Sequence, residues 1–445
     1  MLKMQKILVL GLKQTGRSVL NFYCDQPNMI LAGYAQEISN EERADLAQKF
    51  PHAYFYSGEL KQVLGSNHFD LLVLSPGFSL YRSEIQEFIK QGGCVTGDVQ
   101  LWLDYCKRSE QKVIAITGSN GKSTVTELTG FLCSQSGKKT VVAGNIGLPV
   151  LDAAKTYPDA EVWVLELSSF QLETIHDLNA QAAVCLNISD DHLDRYKDRL
   201  DYAWHKDKIF DGAIVQVLNQ DDPFCLAMQR SEKHGLWFSL QEPSDYWLKD
   251  TVIMRDRQRL IDSKELQLSG KHNIANVMSA LALCSALKLD EQRLLDLLPF
   301  FKGLPHRVQK VGEFNGVCFI DDSKGTNVGA TLAALKGAPG RVVLIAGGLG
   351  KGQSFEPLKK IIEEKVTALF LIGEAAAKIA EVMNNTAVPT VICDSLQEAT
   401  KKAYAVAKPG DWVLLSPACA SMDMFRDYAH RSAVFVDAIK ELIGE

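Results

Sequence analysis

Ile114-Ala115-Ile116-Thr117-Gly118-Ser119-Asn120-Gly121-Lys122-Ser123-Thr124 is the stretch on which the reading of this chain turns. Residues 113–116 are apolar and mostly branched, as in a buried strand. Beyond the glycines, Val125, Leu128, Phe131 and Leu132 fall on one face of a helix. Strand, glycine turn and helix start build a phosphate cradle, because the turn's N–H groups and the positive end of the helix dipole face the same anion. Lys122 adds a mobile cation for the outer phosphates, and the Ser123 hydroxyl stands where a Mg²⁺ ligand is needed. The spacing departs from the usual phosphate loop: Ile116 occupies the place of the first glycine, leaving Gly-x-x-Gly-Lys-Ser. A polar glycine turn without a ligand is the competing reading. Its place between strand and helix favours nucleotide phosphate.

A chain of 445 residues is long enough for about three domains, each with its own core. The net charge of −6 argues against a nucleic-acid-binding surface. No apolar run approaches the roughly 18 residues of a membrane span. Lys3 and Lys6 before Ile7-Leu8-Val9-Leu10 faintly suggest a leader, but Lys13 cuts the run and no small-residue cleavage site follows, so a first strand is expected. The 10 cysteines form no Cys-x-x-Cys pair, and Cys185 and Cys318 sit in strand-like apolar runs. That pattern suits a reducing cytoplasm and argues against disulfides and zinc.

Residues 6–10 read as a strand, followed by Gly11-Leu12-Lys13-Gln14-Thr15-Gly16 and a helix from about Gly16. Strands over 29–34 and 71–74 end at Gln36-Glu37 and Ser75-Pro76-Gly77, giving half of a doubly wound sheet whose loops are open to a ligand. The Gly-x4-Gly turn does not specify a dinucleotide, and a nicotinamide oxidoreductase would rest on it alone. Glu37 is read either as a ribose ligand or as a solvated loop residue.

In the centre, a short strand over 141–143 leads to Gly144-Asn145-Ile146-Gly147, and a strand from Val162 delivers Glu166 at its end, where a Mg²⁺ ligand or base is expected. A strand over 183–188 ends in Ser189-Asp190-Asp191-His192-Leu193-Asp194, which fits a helix-cap cluster or a divalent-cation site equally. Lys206 and Lys208, in a helical stretch over 201–210, read as solvated surface charges. Asn273 and Asn276 share a helix face and could read a base edge or cap the helix.

Gly303-Leu304-Pro305-His306-Arg307 looks like a hinge, and strands over 317–320, 342–346, 368–372 and 412–415 predict a second doubly wound sheet. Its loops carry Asp321-Asp322-Ser323-Lys324, Gly347-Gly348-Leu349-Gly350-Lys351 and Ser416-Pro417-Ala418-Cys419-Ala420-Ser421. Any one of them alone would be structural. Three hydroxyl- or cation-bearing loops on one edge suit an anionic substrate.

Together these stretches resemble the ATP-dependent Mur ligases of peptidoglycan synthesis, over essentially the whole chain and in the family's order. The resemblance rests on residues 118–124, Glu166-Leu167-Ser168-Ser169-Phe170, Asp191-His192-Leu193-Asp194-Arg195, residues 272–276, Pro305-His306-Arg307 and Asp322-Ser323-Lys324. Residues 416–421 look most similar to the D-glutamate-adding branch. The family implies an α/β fold of three domains: a Rossmann-like UDP-sugar domain (1–100), a P-loop ATPase-like centre with a mainly parallel sheet (101–303) and a Rossmann-like amino-acid domain (304–445).

It also implies a monomeric cytoplasmic amide ligase acting on UDP-N-acetylmuramoyl-L-alanine, D-glutamate and ATP through an acyl phosphate. Implied ATP contacts are Gly118, Ser119, Asn120, Gly121, Lys122, Ser123, Thr124, Asn273, Asn276, Arg307 and Asp322. Two Mg²⁺ ions are implied on Ser123, Glu166, His192 and a carbamylated Lys206, with Lys208 as the alternative lysine. Lys122, Glu166, His192 and Lys206 form the implied catalytic set. The UDP-substrate falls to Gln14, Thr15, Ser75, Asn145 and His192, and D-glutamate to Lys324, Thr326, Lys351, Ser421 and Tyr428. Gln36-Glu37-Ile38 stands where the family has Asp-Thr-Arg, so the uracil contacts are not carried over. Folylpolyglutamate synthetase lacks a separate UDP-binding domain, and a P-loop kinase needs neither the Asp-Ser-Lys loop nor the last sheet.

Overall fold

The computed structural model describes residues 4–24, 26–105, 111–268 and 270–443; residues 1–3, at the start of the leader-like stretch, lie outside the described residues. Three sheets follow one another along the chain. The first is wholly parallel, in the order Tyr54–Tyr56, Met29–Tyr34, Gln5–Leu10, Leu71–Leu74, Cys94–Gly97. Helices cover its faces, so Ile7, Leu8, Val9 and Leu10 are all buried, which is why the strand reads as an unbroken apolar run. The two edge strands are too short and too exposed to show such a pattern. The helix expected from Gly16 opens at Gln14. Gly16 instead permits close packing: a Cβ there would lie 1.7 Å from the Gly11 carbonyl oxygen.

The central sheet runs Gln258–Asp262, Val252–Arg255, Tyr246–Lys249, His234–Ser239, Val215–Asn219, Ala182–Cys185, Lys112–Thr117, Val162–Glu166, Thr140–Gly144. It is parallel except for the two strands after Lys249, which fold back antiparallel. Helices Lys122–Gln135 and Lys271–Ser285 lie against each other over it, burying Val125, Leu128 and Leu132 with Val277 and Leu281. The third sheet runs Gln309–Phe314, Val317–Asp321, Trp412–Leu415, Val342–Gly347, Val366–Ile372, Thr390–Ile392, parallel but for its first strand.

Helix Asp98–Tyr105 carries the chain from the first sheet to the second, so the boundary expected at residue 100 falls inside it. Its Trp102 ring sits 4.7 Å from that of Trp163 on the central sheet. Between the second and third sheets, Gly303, His306 and Val308 adopt φ of 82°, 63° and 46°. For a β-branched valine this is a costly backbone. The segment is held there by His306 Nδ1 against Asp321 Oδ2 at 2.7 Å and by the Lys324 N–H donating to the His306 carbonyl at 3.2 Å. Among the described residues no helix is long and apolar enough to cross a membrane.

Candidate active site

Parallel pairing brings the ends of Lys112–Thr117, Val162–Glu166 and Ala182–Cys185 to one sheet edge, in register at Ile116 with Glu166 and Thr117 with Cys185. The glycine loop leaves this edge with Gly118 and Gly121 at φ of 145° and 85°. A Cβ on Gly121 would stand 2.5 Å from Asn276 Oδ1, so glycine is demanded by space as well as by backbone. Asn187 braces the loop, accepting from the Asn120 N–H at 2.8 Å and donating to its carbonyl at 3.0 Å. Lys122 folds back over the loop, its Nζ donating to the Gly118 and Ser119 carbonyls at 2.8 and 2.9 Å. Burial holds its pKa below the ordinary lysine value.

Beside it, Glu166 is buried, with Oε1 accepting from Asn145 Nδ2 at 2.8 Å and Oε2 lacking any protein partner. A buried carboxylate oxygen left without a donor is costly, and a cation is the partner that would satisfy it. Ser123, also buried, opens the helix on the same loop. Asn145, expected on the UDP-substrate, thus stands beside Glu166.

Lys206 corrects the reading of a solvated charge. It is 1% exposed, donates from Nζ to Thr117 Oγ1 at 3.1 Å, and lies 4.8 Å from the Tyr202 ring centroid. Burial, then the Lys122 ammonium, pushes its pKa down to about 7. Lys208 turns away, its Nζ over the Trp204 ring. The helix is inverted: Tyr202, Ala203, His205 and Lys206 face inward, while Leu200 and Trp204 are 69% and 56% exposed. Large apolar side chains outside and a lysine inside are the signal a burial-pattern reading could have used.

The Ser189-to-Asp194 cluster does not act as one site. Asp190 pairs with Arg199 at 2.6 Å, whereas Asp191 pairs with Lys351 at 2.9 Å and accepts from Asn327 Nδ2 at 3.1 Å. Asp191 thus ties the third sheet's loops to the second. Among the described residues no three His, Cys, Asp or Glu side chains converge as metal ligands. His192, at φ 56°, keeps its ring Nε2 3.7 Å from Asp191 Oδ2, and burial pushes its pKa down to about 4, leaving a neutral imidazole near pH 7.

On the third sheet, Asp321 pairs in register with Leu415 and Ile345 with Leu415, so the three expected loops share one edge. Ser416 Oγ donates to Asp322 Oδ2 at 2.7 Å, and Leu349 bridges Ala420. Burial raises the Asp322 pKa to about 7 and lowers that of Lys324 to about 8. Lys324 Nζ stands 5.2 Å from the Tyr428 ring, and Ser421 is buried at the next loop. Among the described residues no side-chain partner distinguishes Thr326.

Where the second and third sheets meet, a cavity of about 230 Å³ is lined by Asn120, Gly121, Asn273, Asn276, Arg307 and Asp322. Asn276 Nδ2 donates to Asn273 Oδ1 at 3.1 Å, and Arg307 Nε is buried without a protein partner. Asn219 and Phe238, from strands the sequence pattern did not reveal, line it too, with Leu240 just past the second strand. At the first sheet, Gln14 and Thr15 open a helix beside Ser75, whose Oγ donates to the Gly11 carbonyl at 3.1 Å. A separate open cleft of about 570 Å³ there is lined by Tyr34, Gln36, Glu37, Lys61 and Arg82.

Residues 116–284 match the Mur ligase middle domain and residues 306–419 the Mur ligase glutamate ligase domain. The chain is 51% identical over 382 residues to the UDP-N-acetylmuramoylalanine–D-glutamate ligase of Chromobacterium violaceum, covering 83% of each chain. It is 46% identical to that of Methylobacillus flagellatus, over 99% of this chain and 98% of that one. The chain belongs to the Mur ligase family. Solved Mur ligases share the three-sheet fold. MurF from Acinetobacter baumannii superposes with a TM-score of 0.63 at 16% identity, covering 98% of this chain and 94% of that one. The UDP-N-acetylmuramate–alanine ligase MurC of Thermotoga maritima gives 0.62 at 18% identity, covering 98% and 99%. In this Mur ligase, sequence reasoning missed Thr117, Tyr202 and Asn327, ordinary residue types whose places emerge only from packing around Lys206 and Asp191.

Proposed function

We propose that this Mur ligase joins D-glutamate to UDP-N-acetylmuramoyl-L-alanine with cleavage of ATP to ADP and phosphate, the activity for which its relatives are named. The observation that carries the reading is the convergence of Lys122, the unpartnered Glu166 oxygen and buried Lys206 opposite the third sheet's loops. In the reaction, a carboxylate oxygen of the UDP-substrate attacks the γ-phosphorus and ADP leaves. The amine of D-glutamate then adds to the acyl-phosphate carbonyl, and the tetrahedral intermediate expels phosphate. Carboxylate and triphosphate repel, so the protein's task is positioning and charge neutralisation.

Lys122 and the loop amides take the phosphates, Asn276 the base, Arg307 the triphosphate and Asp322 the ribose. Ser123 and Glu166 would hold one Mg²⁺, with His192 and a carbamylated Lys206 at a second; such ions neutralise charge between the two anions. A lysine held near neutrality by burial is suited to carbamylation, and the carbamate would remove a cation that repels metal. Lys324, Thr326, Lys351, Ser421 and Tyr428 surround D-glutamate, and Gln14, Thr15 and Ser75 the UDP end, with Asn145 and His192 at the reactive end. Domains 1–100, 101–303 and 304–445 bind UDP-sugar, ATP and amino acid, the last swinging about residues 303–305. The enzyme acts as a cytoplasmic monomer.

Mass analysis of reactions containing ATP, Mg²⁺, UDP-N-acetylmuramoyl-L-alanine and one amino acid at a time tests this. A D-glutamyl amide product is expected; product with another amino acid alone would move the chain to a different specificity.

A further inference from the structure

A buried ion pair fastens the first sheet to the second, away from the cradle. Glu173 caps the short helix Ser169–Leu172, and its side chain is 1% exposed. Oε1 accepts from Arg195 Nε at 3.0 Å and from the Tyr196 hydroxyl at 3.0 Å, while Oε2 accepts from Arg195 Nη2 at 2.6 Å and from the Leu80 N–H at 3.2 Å. Arg195 then reaches the first sheet's loop, donating from Nη1 to the Pro76 carbonyl at 2.7 Å and from Nη2 to the Phe78 carbonyl at 3.3 Å. Tyr81, at the end of that loop, meets His205 edge-on at 5.4 Å.

Each central-sheet partner of this loop adjoins a proposed metal ligand. The Arg195 and Tyr196 N–H groups both donate to the His192 carbonyl, closing one turn. Phe170 lies between the Arg195 guanidinium, 3.9 Å from its ring centroid, and the His192 ring at 4.7 Å. His205 precedes Lys206 on one helix. The loop itself follows Ser75 directly.

We propose that Arg195 and Glu173 are positioning residues, a joint that sets the distance between the loop after Ser75 and the His192 and Lys206 corner, and so aims the substrate carboxylate at the γ-phosphate. This rests on the reading of the first sheet as the UDP-sugar end. A buried ion pair is weak evidence for stability, because desolvation offsets its attraction, but its fixed bidentate geometry suits a register device. Lysine in place of Arg195 would keep the charge and lose the fork that reaches Glu173 and two carbonyls at once.

The test compares Arg195→Lys, Glu173→Gln and Tyr81→Ala with wild type in kcat, KM for ATP, affinity for free UDP by calorimetry, and melting temperature. For Arg195→Lys and Glu173→Gln, kcat should fall roughly 10- to 100-fold, since misplacement of reacting groups by about 1 Å costs that much. ATP KM and UDP affinity should stay within about twofold, because neither ligand spans the joint. Tyr81 is half-exposed, so its variant will fold even if the others do not, and should show a smaller fall in kcat alone. Unchanged kcat in the folded variants overturns the joint. So does a loss shared equally by kcat, UDP affinity, ATP KM and melting temperature. A wild-type enzyme that makes no amide would instead overturn the reading on which the joint rests.

Discussion

The proposed ATP end and the proposed UDP end of this molecule are built differently. At the ATP end, Lys122, Glu166, Asp191 and Lys206 are buried or nearly so, and each is constrained by named partners. The first sheet's cleft is open, lined by Gln36, Glu37, Lys61 and Arg82, with Gln36 and Glu37 exposed loop residues. Chemistry on two mutually repelling anions needs desolvated, preorganised charge, which few residue types at few spacings supply. Holding a base and ribose needs only some donors and acceptors near the right place, and many side chains serve.

The sharpest way to break this contrast is Lys122→Ala, for which amide formation should drop at least roughly 10³-fold, as when a preorganised charge partner of a transition state is removed. A loss under tenfold in steady-state kinetics would show that the cradle is not where charge is neutralised. The two lysines come next. Lys206→Ala should cost roughly 10²-fold or more in kcat and Lys208→Ala less than about twofold, since only the first faces the site. Equal losses would mean that burial is not what selects the lysine.

Asp322 gives a pH test of the same desolvation. Burial raises its folded pKa from 3.8 to about 7, so the folded state holds the proton more tightly than the unfolded chain does. That stabilisation is fully present below about pH 3.8 and is lost as pH rises through about 7. The melting temperature of Asp322→Asn minus that of wild type should therefore rise by roughly 2–4 °C between pH 5 and pH 8. A flat difference would argue against a desolvated carboxyl there. The smallest effect belongs to the open cleft: Gln36→Ala should raise KM for the UDP-substrate by about threefold to tenfold with kcat unchanged, the worth of one solvated hydrogen bond. A fall in kcat instead would show that this end also tunes the chemistry.

The same contrast explains what could be read from the chain. Residues 113–116, 162–166 and 342–346 are central parallel strands buried on both faces, so they stand out as apolar runs ending in functional loops. Strands His234–Ser239 and Tyr246–Lys249 are mostly part-buried, with only Phe238, Ser239 and Tyr246 buried, so they show no apolar run, and the Phe238 wall of the cavity between the second and third sheets is not legible in the sequence. Local pattern alone put Lys206 on the surface, because what buries it is Thr117, Tyr202 and Lys122's loop, all distant or ordinary in sequence. Only the family resemblance singled it out. Nothing in Gly144-Asn145-Ile146-Gly147 announces that the Asn145 amide turns back onto Glu166.

In the proposed reaction the cradle activates a carboxylate instead of water. UDP-N-acetylmuramoyl-L-alanine carrying ¹⁸O in its carboxylate, incubated with ATP, Mg²⁺ and D-glutamate, tests it most directly through the isotopic mass of the released phosphate. Attack of the carboxylate on phosphorus followed by cleavage at the carbonyl must leave one ¹⁸O in each phosphate formed per amide. Phosphate carrying oxygen from solvent alone would contradict the account and leave a nucleotide hydrolase.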